Sequence, residues 1–441
     1  MSKSFRDWSR GQALLLPLSV DDFVPADHLC RFVVALVTEE LDLSSVLASY
    51  RGEKGQPPYH PAMMTALLLY SYAVGVYSSR RIAKACVERV DFMAIVALAT
   101  PDFRTISEFR RRHLAALSGL FVQVLKLCEA AGLVELGHVA LDGTKIKANA
   151  SKHKAMSYAR METREIELKA EVARWLEAAE AADAAEDKAL GADRRGDEMP
   201  DWVADKHKRL AKIAEAKAAL EAAAEAEAAA EQAARAPEQA EKRRSDRKAT
   251  PAPAPKAQRN FTDPESHILK TKDGYIQGYN AQAAVDATAQ VIVAHKLSNN
   301  GSDQAQFAPL LDAVKGNLGR NPHEVSADAG YCSAANLRTL SRRRIKGYIA
   351  TGRQHHGAKA ATTKRAVKPG SLVARMSTKL KRGGHRSRYR LRKQVVEPVF
   401  GQIKQARGFR QFLLRGIEKV TAEWALICTV HNLRKLALAV T

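Results

Sequence analysis

The stretch LDGTKIKANA, from Leu141 to Ala150, begins with the last residue of the short apolar run HVAL, and the interpretation of the fold depends on it. An Asp-Gly pair is typical of a tight β-hairpin turn, which is one interpretation of Asp142 and Gly143. The other is that Asp142 ends a strand and serves as a metal ligand. The stretch does not decide between a turn residue and a ligand, so the remaining acidic residues must.

Composition narrows the class of protein. The 441 residues suffice for two or three domains, and 70 Lys and Arg against 48 Asp and Glu give a net charge of +22. This excess favours a polyanionic partner, with nucleic acid ahead of an anionic membrane surface. The five cysteines are scattered without a CxxC spacing, which argues against a zinc site or a disulfide framework.

The sequence predicts a cytoplasmic, nucleoid-associated protein that does not enter a membrane. No apolar run approaches the ~18 residues that a membrane-spanning helix needs. The start, MSKSFRDWSRGQALLLPLSVDD, has basic residues before a short apolar stretch, so a secretory signal is the alternative. Asp7, Pro17 and the pair Asp21 and Asp22 count against export.

Residues 1–134 have a helical pattern and are predicted to form an all-α DNA-binding domain. HPAMMTALLLYSYAVG predicts a buried helix, and GVYSSRRIAKACVERV predicts a turn and a basic helix, as in a helix-turn-helix. The candidate DNA contacts are Arg80, Arg81 and Lys84. A third helix is expected to start at Thr105, with Glu108 completing a capping box. The alternative is a helical bundle with solvated basic faces.

Residues 157–258 are rich in Ala, Glu, Lys and Arg and predict an insertion made of a long helical hairpin. Its mixed charges are typical of a solvated helical surface. The run PAPAPKAQ, from Pro251 to Gln258, predicts a stiff, extended linker at its end.

Residues 135–156 and 259–441 are predicted to form one α/β domain, a mixed sheet flanked by helices. GYNAQAAVD and AQVIVAHKLS read as adjacent strands, and HEVSADAGY as a short strand that ends at Asp328. SDQAQFAPLLDAVKGNLG predicts an amphipathic helix with Ser302 or Asp303 as its cap. SAANLRTLSRRR and IKGYIAT add a helix and a strand.

The distribution of charge near the end of the chain is unusual. From Ala329 to Val396 there is no Asp or Glu in 68 residues, yet there are 19 Lys and Arg. A solvated surface normally mixes signs, so this tract is expected to neutralise phosphates. The alternative is a disordered basic tail, which the strand and helix patterns on both sides disfavour.

Two carboxylates border this tract, and with Asp142 they form a candidate metal site. Asp142 and Asp328 each follow a short apolar strand, so their side chains would share an edge if the strands are neighbours. Glu397 lies opposite the apolar positions of a predicted helix. Three carboxylates suit Mg²⁺ or Mn²⁺, and two such ions about 4 Å apart would serve phosphoryl transfer. Rival ligands are Asp286, Asp303 and Asp312, of which Asp303 is equally explained as a cap.

Four motifs, in this order along the chain, resemble those of bacterial insertion-sequence transposases of the DDE type. They are LDGTKIKANAS, GYNAQAAVD, SADAGY and VEPVFGQIK. The resemblance implies a ribonuclease-H-like catalytic domain with Asp142, Asp328 and Glu397 as metal ligands. It further implies a Tyr-Arg-Glu-Lys signature that contacts DNA, matched here by Tyr389, Arg392, Glu397 and Lys404.

Two details depart from the pattern of that family. The interval from Arg392 to Glu397 is one residue longer than usual, and Lys393 occupies the regular place. Pro398 disfavours helical geometry at Glu397, so Glu397 is expected to begin a helix or to lie at a kink.

The resemblance implies a transposase that binds the inverted ends of its element, hydrolyses a phosphodiester there and joins the 3′-hydroxyl to target DNA. Double-stranded DNA, two Mg²⁺ or Mn²⁺ ions and a second copy of the chain would be its partners. One alternative is a non-catalytic DNA-binding regulator descended from a transposase. The other is a nuclease of the same fold that cleaves without joining.

Overall fold

The structure is a computed structural model that describes residues 19–50, 57–190, 201–233, 252–271, 273–352, 362 and 368–440. Among them the helices are α1 Leu29–Ala35, α2 Ser44–Leu47, α3 Pro61–Ala73, α4 Ser79–Glu88, α5 Val90–Ile95, α6 Phe103–Arg112, α7 Leu114–Ala130, α8 Tyr158–Leu190, α9 Asp201–Ala233, α10 Phe307–Leu318, α11 Ala334–Arg342, α12 Leu372–Gly383, α13 Leu391–Gly401 and α14 Ile417–Val440. The strands are β1 His138–Lys147, β2 Ala155–Ser157, β3 Gln258–Asn260, β4 His267–Thr271, β5 Gly274–Asp286, β6 Ile292–Ser298, β7 Glu324–Ala327 and β8 Lys346–Ile349. The possible signal sequence at residues 1–18 lies outside the described residues.

A mixed sheet forms the centre of the molecule, as the sequence predicts. β1 lies in its middle, antiparallel to β5 on one side and parallel to β7 on the other, and β8 continues the parallel side. The far side of β5 pairs with β4 along its first half and with β6 along its second half. Helices cover both faces, so β5 is buried almost throughout, as its run of small apolar residues requires.

The longest helix described after β3, α14, joins this sheet to the helices of residues 19–134. It packs against β6, α3 and α7, and its Trp424 and His431 are buried. The buried apolar residues of these helices and of the sheet form one continuous core. At the junction the Tyr77 hydroxyl donates a hydrogen bond of 2.9 Å to the backbone oxygen of Arg407.

The predicted helical hairpin is present as α8 and α9. The two helices run antiparallel around a small apolar cluster of Met161, Leu168, Ile213 and Ala216. The Lys217 ammonium lies 3.2 Å from the Glu165 carboxylate, which adds a cross-helix ion pair. The predicted turn between the helices falls at residues 191–200, outside the described residues.

The segment expected to be an extended linker instead contains a turn. The amide of Ala257 donates to the backbone oxygen of Ala254, and the first amides of α8 donate to residues of this turn. The turn therefore holds the start of the hairpin, because helix-start amides need acceptors that the helix does not supply.

Two predicted helix starts are wrong. α6 begins at Phe103, where the Asp102 carboxylate accepts the backbone amides of Arg104 and Thr105, so no capping box forms at Thr105. Of the two alternatives for Glu397, a helix start or a kink, the start is wrong, because α13 runs from Leu391 to Gly401 through Pro398.

No single helix in these ranges has the length and apolar character needed to cross a membrane. Only the pair Phe103–Arg112 and Leu114–Ala130 meets that test, and it is bent by 70°.

Candidate active site

Asp142 and Asp328 lie side by side at the edge where β1 and β7 stop pairing. The last parallel pair joins Leu141 to Ala327, and each aspartate is the next residue. β1 itself continues to Lys147, with Asp142 and Gly143 paired to Ala283 and Gln282 of β5. The hairpin-turn interpretation of Asp142 and the prediction that it ends a strand are therefore both wrong. The prediction that the two aspartates share one edge agrees with the structure.

Burial and mutual repulsion disfavour the charged forms of both aspartates. Burial raises the pKa of Asp142 to about 7, with further increments from Asp328 and Asp303, while Arg392 opposes the shift. Burial also raises the pKa of Asp328, again with the charge of Asp303 adding to it. Each carboxylate accepts one nearby backbone amide, from Gly143 at 2.9 Å and from Gly330 at 2.8 Å. A bound cation would offset this repulsion.

The Arg392 guanidinium joins the first and third predicted ligands. Its Nη1 lies 2.6 Å from the Asp142 Oδ2, and its Nη2 lies 3.4 Å from the Glu397 Oε1. The Arg392 side chain is only 11% exposed, whereas the neighbouring Lys393 is exposed to solvent. The structure thus places Arg392, and not Lys393, beside the carboxylates, although the interval to Glu397 is one residue longer than the family pattern.

Glu397 is connected to Asp142 through the Arg392 guanidinium, which contacts both carboxylates. It lies on α13 beside the buried Val396 and Val399, which pack this helix against the sheet, and its own side chain is 52% exposed. The proline that follows removes a backbone donor, and the freed carbonyl of Gln394 instead accepts the Gln290 side-chain amide at 3.0 Å. This replacement bond lets the helix continue through Pro398.

The other two signature residues flank the same edge. Tyr389 is half-buried next to Arg392, and burial raises the pKa of its phenol. The Lys404 ammonium donates to the backbone oxygen of Lys145 on β1 at 2.8 Å, and burial lowers the pKa of Lys404. Lys404 belongs to a π-helical turn, Gln402–Ala406, that continues α13.

Of the three rival metal ligands, only Asp303 lies beside Asp142 and Asp328. Asp286 is the last residue of β5 and accepts the backbone amides of Leu136 and Thr288. Asp312 pairs with Arg343 at 2.6 Å. Asp303 makes no side-chain capping bond, so the expectation that it caps a helix is wrong. It adjoins Asp142 and Asp328, as one of the two roles considered for it from the sequence, that of a rival metal ligand, requires.

The donor set suits a divalent cation. Carboxylate oxygens of Asp142, Asp303 and Asp328 crowd one edge with Arg392 as counter-charge, and hard oxygen ligands are those that Mg²⁺ and Mn²⁺ prefer. Within the described residues, no three acidic, His or Cys side chains surround a single point at coordinating distance. The Arg392 guanidinium contacts both Asp142 and Glu397 in this arrangement.

The predicted DNA contacts of the helical region lie on the outer face of α4. Arg80, Arg81 and Lys84 are exposed, while Ile82, Ala85 and Cys86 fix the helix in the core. The Arg80 guanidinium also stacks on the Phe103 ring at 4.8 Å. These three residues therefore form a basic face, separate from the carboxylates.

Comparison with protein families gives two matches. Residues 18–112 match the family described as a transposase domain of the DUF772 type, and residues 246–433 match the transposase DDE domain. The second match includes Asp303, Asp328 and Glu397, whereas β1 with Asp142 precedes it. No curated protein and no solved structure gives a significant match.

Proposed function

Because the chain belongs to the DDE transposases of insertion sequences, we propose that it binds the inverted ends of its own element and catalyses DNA cleavage and strand transfer there. Asp142, Asp328 and Glu397 are the proposed metal ligands. The catalytic region is proposed to be ribonuclease-H-like, which the mixed sheet with β1 between β5 and β7 supports.

One observation carries this proposal: Asp142 and Asp328 adjoin each other after the last β1–β7 pair, and Arg392 connects Asp142 to Glu397. Residues 250 positions apart in the chain are thus brought together by the sheet and by α13. Repulsion among these carboxylates lowers the stability of the folded protein. Carboxylates with pKa values perturbed in this way are common in active sites.

In the proposed reaction Asp142, Asp328 and Glu397 would hold two Mg²⁺ or Mn²⁺ ions. Bound there, such ions supply activation of the attacking oxygen and stabilisation of the leaving oxygen in an in-line displacement. Burial raises the pKa of Asp142 to about 7, and a cation held there would lower it again by favouring the charged carboxylate.

The cationic side chains hold DNA at this edge. Arg392 exchanges its carboxylate partners for a phosphate of the DNA, since its guanidinium suits either partner. Tyr389 and Lys404 lie on either side of Arg392 along the chain and contact the flanking phosphates. The basic face of α4 binds duplex further from the scissile bond. A second copy of the chain is proposed to hold the other transposon end.

Cleavage and joining of DNA with the native flanks of the gene test this function. The full chain is incubated with that DNA and Mg²⁺, and each of the variants Asp142→Ala, Asp328→Ala and Glu397→Ala is compared with Asp312→Ala. Loss of a metal ligand should slow cleavage roughly a thousandfold, since metal-ion catalysis contributes several kcal/mol. End binding should persist, and Asp312→Ala should cleave normally because Asp312 pairs with Arg343 away from the site.

The products separate the alternatives. Cleavage without joining would indicate a nuclease, and wild-type binding without cleavage in either Mg²⁺ or Mn²⁺ would indicate a DNA-binding regulator. If the three ligand variants cleave as well as the wild type, the proposed site is wrong.

A further inference from the structure

Asp303 turns away from the helix it precedes and toward the carboxylates of the site. Its Oδ1 accepts the side-chain amides of Asn280 and Gln282, each at 2.7 Å. Both amides project from β5, the strand paired with Asp142. The hydrogen bonds that a helix cap would make to backbone amides are absent at Asp303 in this described segment. Asp303 is thus held by the sheet rather than by its own helix.

The amide that holds Asp303 is itself oriented by the motif containing Asp328. The Tyr331 hydroxyl donates to the Gln282 Oε1, and the Trp424 indole donates to the Gln282 backbone oxygen at 3.1 Å. Since Oε1 is occupied as an acceptor, the Nε2 of Gln282 faces Asp303 as a donor. Tyr331 is completely buried, so it acts through Gln282 rather than by touching a base.

Two glycines leave the space that Asp303 fills. A Cβ on Gly143, the residue after Asp142, would lie 2.8 Å from the Asp303 Oδ1. A Cβ on Gly330, two residues after Asp328, would lie 3.0 Å from both the Asp303 Oδ2 and the Asp328 Oδ1. Neither glycine has a positive φ, so close approach, and not backbone conformation, excludes a side chain there. The oxygens Oδ2 of Asp303 and Oδ1 of Asp328 therefore approach the same point.

The two carboxylates of this pair, Asp303 and Asp328, are near Arg392 but make no direct contact with a cationic side chain in the described part of the chain. Among the described residues, no Lys, Arg or His forms an ion pair with Asp303 or Asp328, although Asp142 and Glu397 share Arg392. The charge of Asp303 raises the pKa of both other aspartates. Three crowded carboxylates with Arg392 as their nearby positive charge form a favourable environment for a hard divalent cation.

We propose that Asp303 is a fourth acidic residue of the active centre and holds one of its divalent cations together with Asp328. Asn280, Gln282 and Tyr331 are positioning residues that aim Asp303 at this cation. The inference rests on the proposed metal-dependent function and adds a ligand to it.

Mn²⁺ binding by the full chain, followed by electron paramagnetic resonance, tests this role without relying on activity. The variant Asp303→Asn has the same shape and keeps an acceptor oxygen for Asn280 and Gln282, but it lacks the charge. We expect its Mn²⁺ affinity to fall at least tenfold, or one of two bound ions to be lost. Asp312→Asn, from the following helix, should bind as the wild type does.

Melting in EDTA and a second variant distinguish a ligand from a structural residue. Without metal, Asp303→Asn should melt no lower than the wild type, because the substitution relieves repulsion from Asp142 and Asp328. Asp303→Glu restores the charge and should bind Mn²⁺ more tightly than Asp303→Asn. Equal binding by these two variants would overturn the proposal, whatever their melting temperatures.

The results also separate this inference from the proposed function. If Asp142→Ala abolishes Mn²⁺ binding but Asp303→Asn binds normally, the function stands and the role of Asp303 is wrong. If the wild type binds no Mn²⁺ with or without DNA ends, the proposed metal-dependent chemistry fails and this inference fails with it.

Discussion

The side chain of Arg392 connects the electrostatics of the carboxylates to the proposed contact with DNA. Arg392→Ala should leave Asp142 buried without its counter-charge, and breaking a buried ion pair costs about 3–5 kcal/mol. We expect the melting temperature to fall, and cleavage to fall with it. Lys393→Ala is the matched control, because Lys393 is adjacent in sequence but exposed. Thermal melting and cleavage of flanking DNA measure both effects.

The opposite result would identify Lys393, rather than Arg392, as the arginine-position residue of the DNA-contacting signature. If Lys393→Ala loses cleavage while Arg392→Ala keeps it, the regular spacing of the family pattern identifies the DNA contact and the ion pair with Asp142 is dispensable. Equal, mild effects from both substitutions would contradict a role for either residue at the site.

The sequence identified Asp142 and Asp328 as neighbours at this edge but did not decide the role of Asp303, for a physical reason. Asp142 and Asp328 each follow an apolar run, and such a run can be recognised as a strand from the sequence alone. Asp303 precedes a helix, where an aspartate is normally a cap, so the local pattern left its role open between a cap and a rival metal ligand. Its real partners, Asn280 and Gln282, lie 23 and 21 residues away and are adjacent only in the folded sheet.

Among the elements, α13 shows how tertiary contacts override local preference. Pro398 removes a backbone donor and disfavours helix at Glu397, and the sequence therefore predicted a start or a kink. In the structure Gln290, from the turn between β5 and β6, satisfies the carbonyl of Gln394. The sequence of the helix alone cannot identify Gln290, more than a hundred positions away, as the donor to this carbonyl. The apolar face of the helix, with Val396, Val399 and Phe400, is buried as its spacing predicts.

Helix α14 contains a buried carboxylate whose titration affects stability. Glu423 is 1% exposed and accepts the backbone amides of Leu413 and Leu414, so it holds the segment that precedes the helix. Burial raises its pKa from 4.5 to about 7. A raised carboxyl pKa means that the folded state keeps a proton which the unfolded state releases. The contribution of Glu423 to stability is therefore most favourable below about pH 4.5 and is lost as the pH rises towards 7.

Glu423→Gln should remove this loss. The amide oxygen can accept the same backbone amides without a charge, so the variant should gain on the wild type between pH 4.5 and 7, by roughly 3 kcal/mol at most. Urea unfolding at several pH values gives the difference between the two proteins. Glu418→Gln, exposed in the first turn of the same helix, should show no such trend. A difference that does not change with pH would mean that Glu423 is not the titrating group.

At the scale of the whole molecule, composition indicated the helical, hairpin and α/β parts of the chain but not how they pack. Changes of hydrophobic period and of charge mark where the local structure changes. They do not reveal that α14 buries itself against both α7 and β6, which gives the helices of residues 19–134 and the sheet one core. That shared core fixes the basic face of α4 relative to the carboxylate edge, since contacts such as Tyr77 with Arg407 join the two parts.

The net charge of +22 predicts that binding of the DNA ends depends steeply on salt, and the face of α4 allows a quantitative test. In the double variant Arg81→Ala and Lys84→Ala, two exposed charges are lost without loss of packing. Arg80 is left intact because it stacks on Phe103. The ion pair of Lys84 with Glu88 is exposed at both ends and contributes little to stability. If both side chains contact phosphates, the slope of log K against log salt should become shallower by about 1.8.

Arg320→Ala supplies the control, because Arg320 is already paired with Glu129 at 2.7 Å. Its salt slope should match that of the wild type, as should the Mn²⁺ affinity of the double variant, since α4 is separate from the carboxylates. Fluorescence anisotropy with a labelled duplex from the native flank, at four or more salt concentrations, measures the slopes. An unchanged slope in the double variant would show that α4 does not bind DNA, and the basic tract after Asp328 would then have to account for end binding.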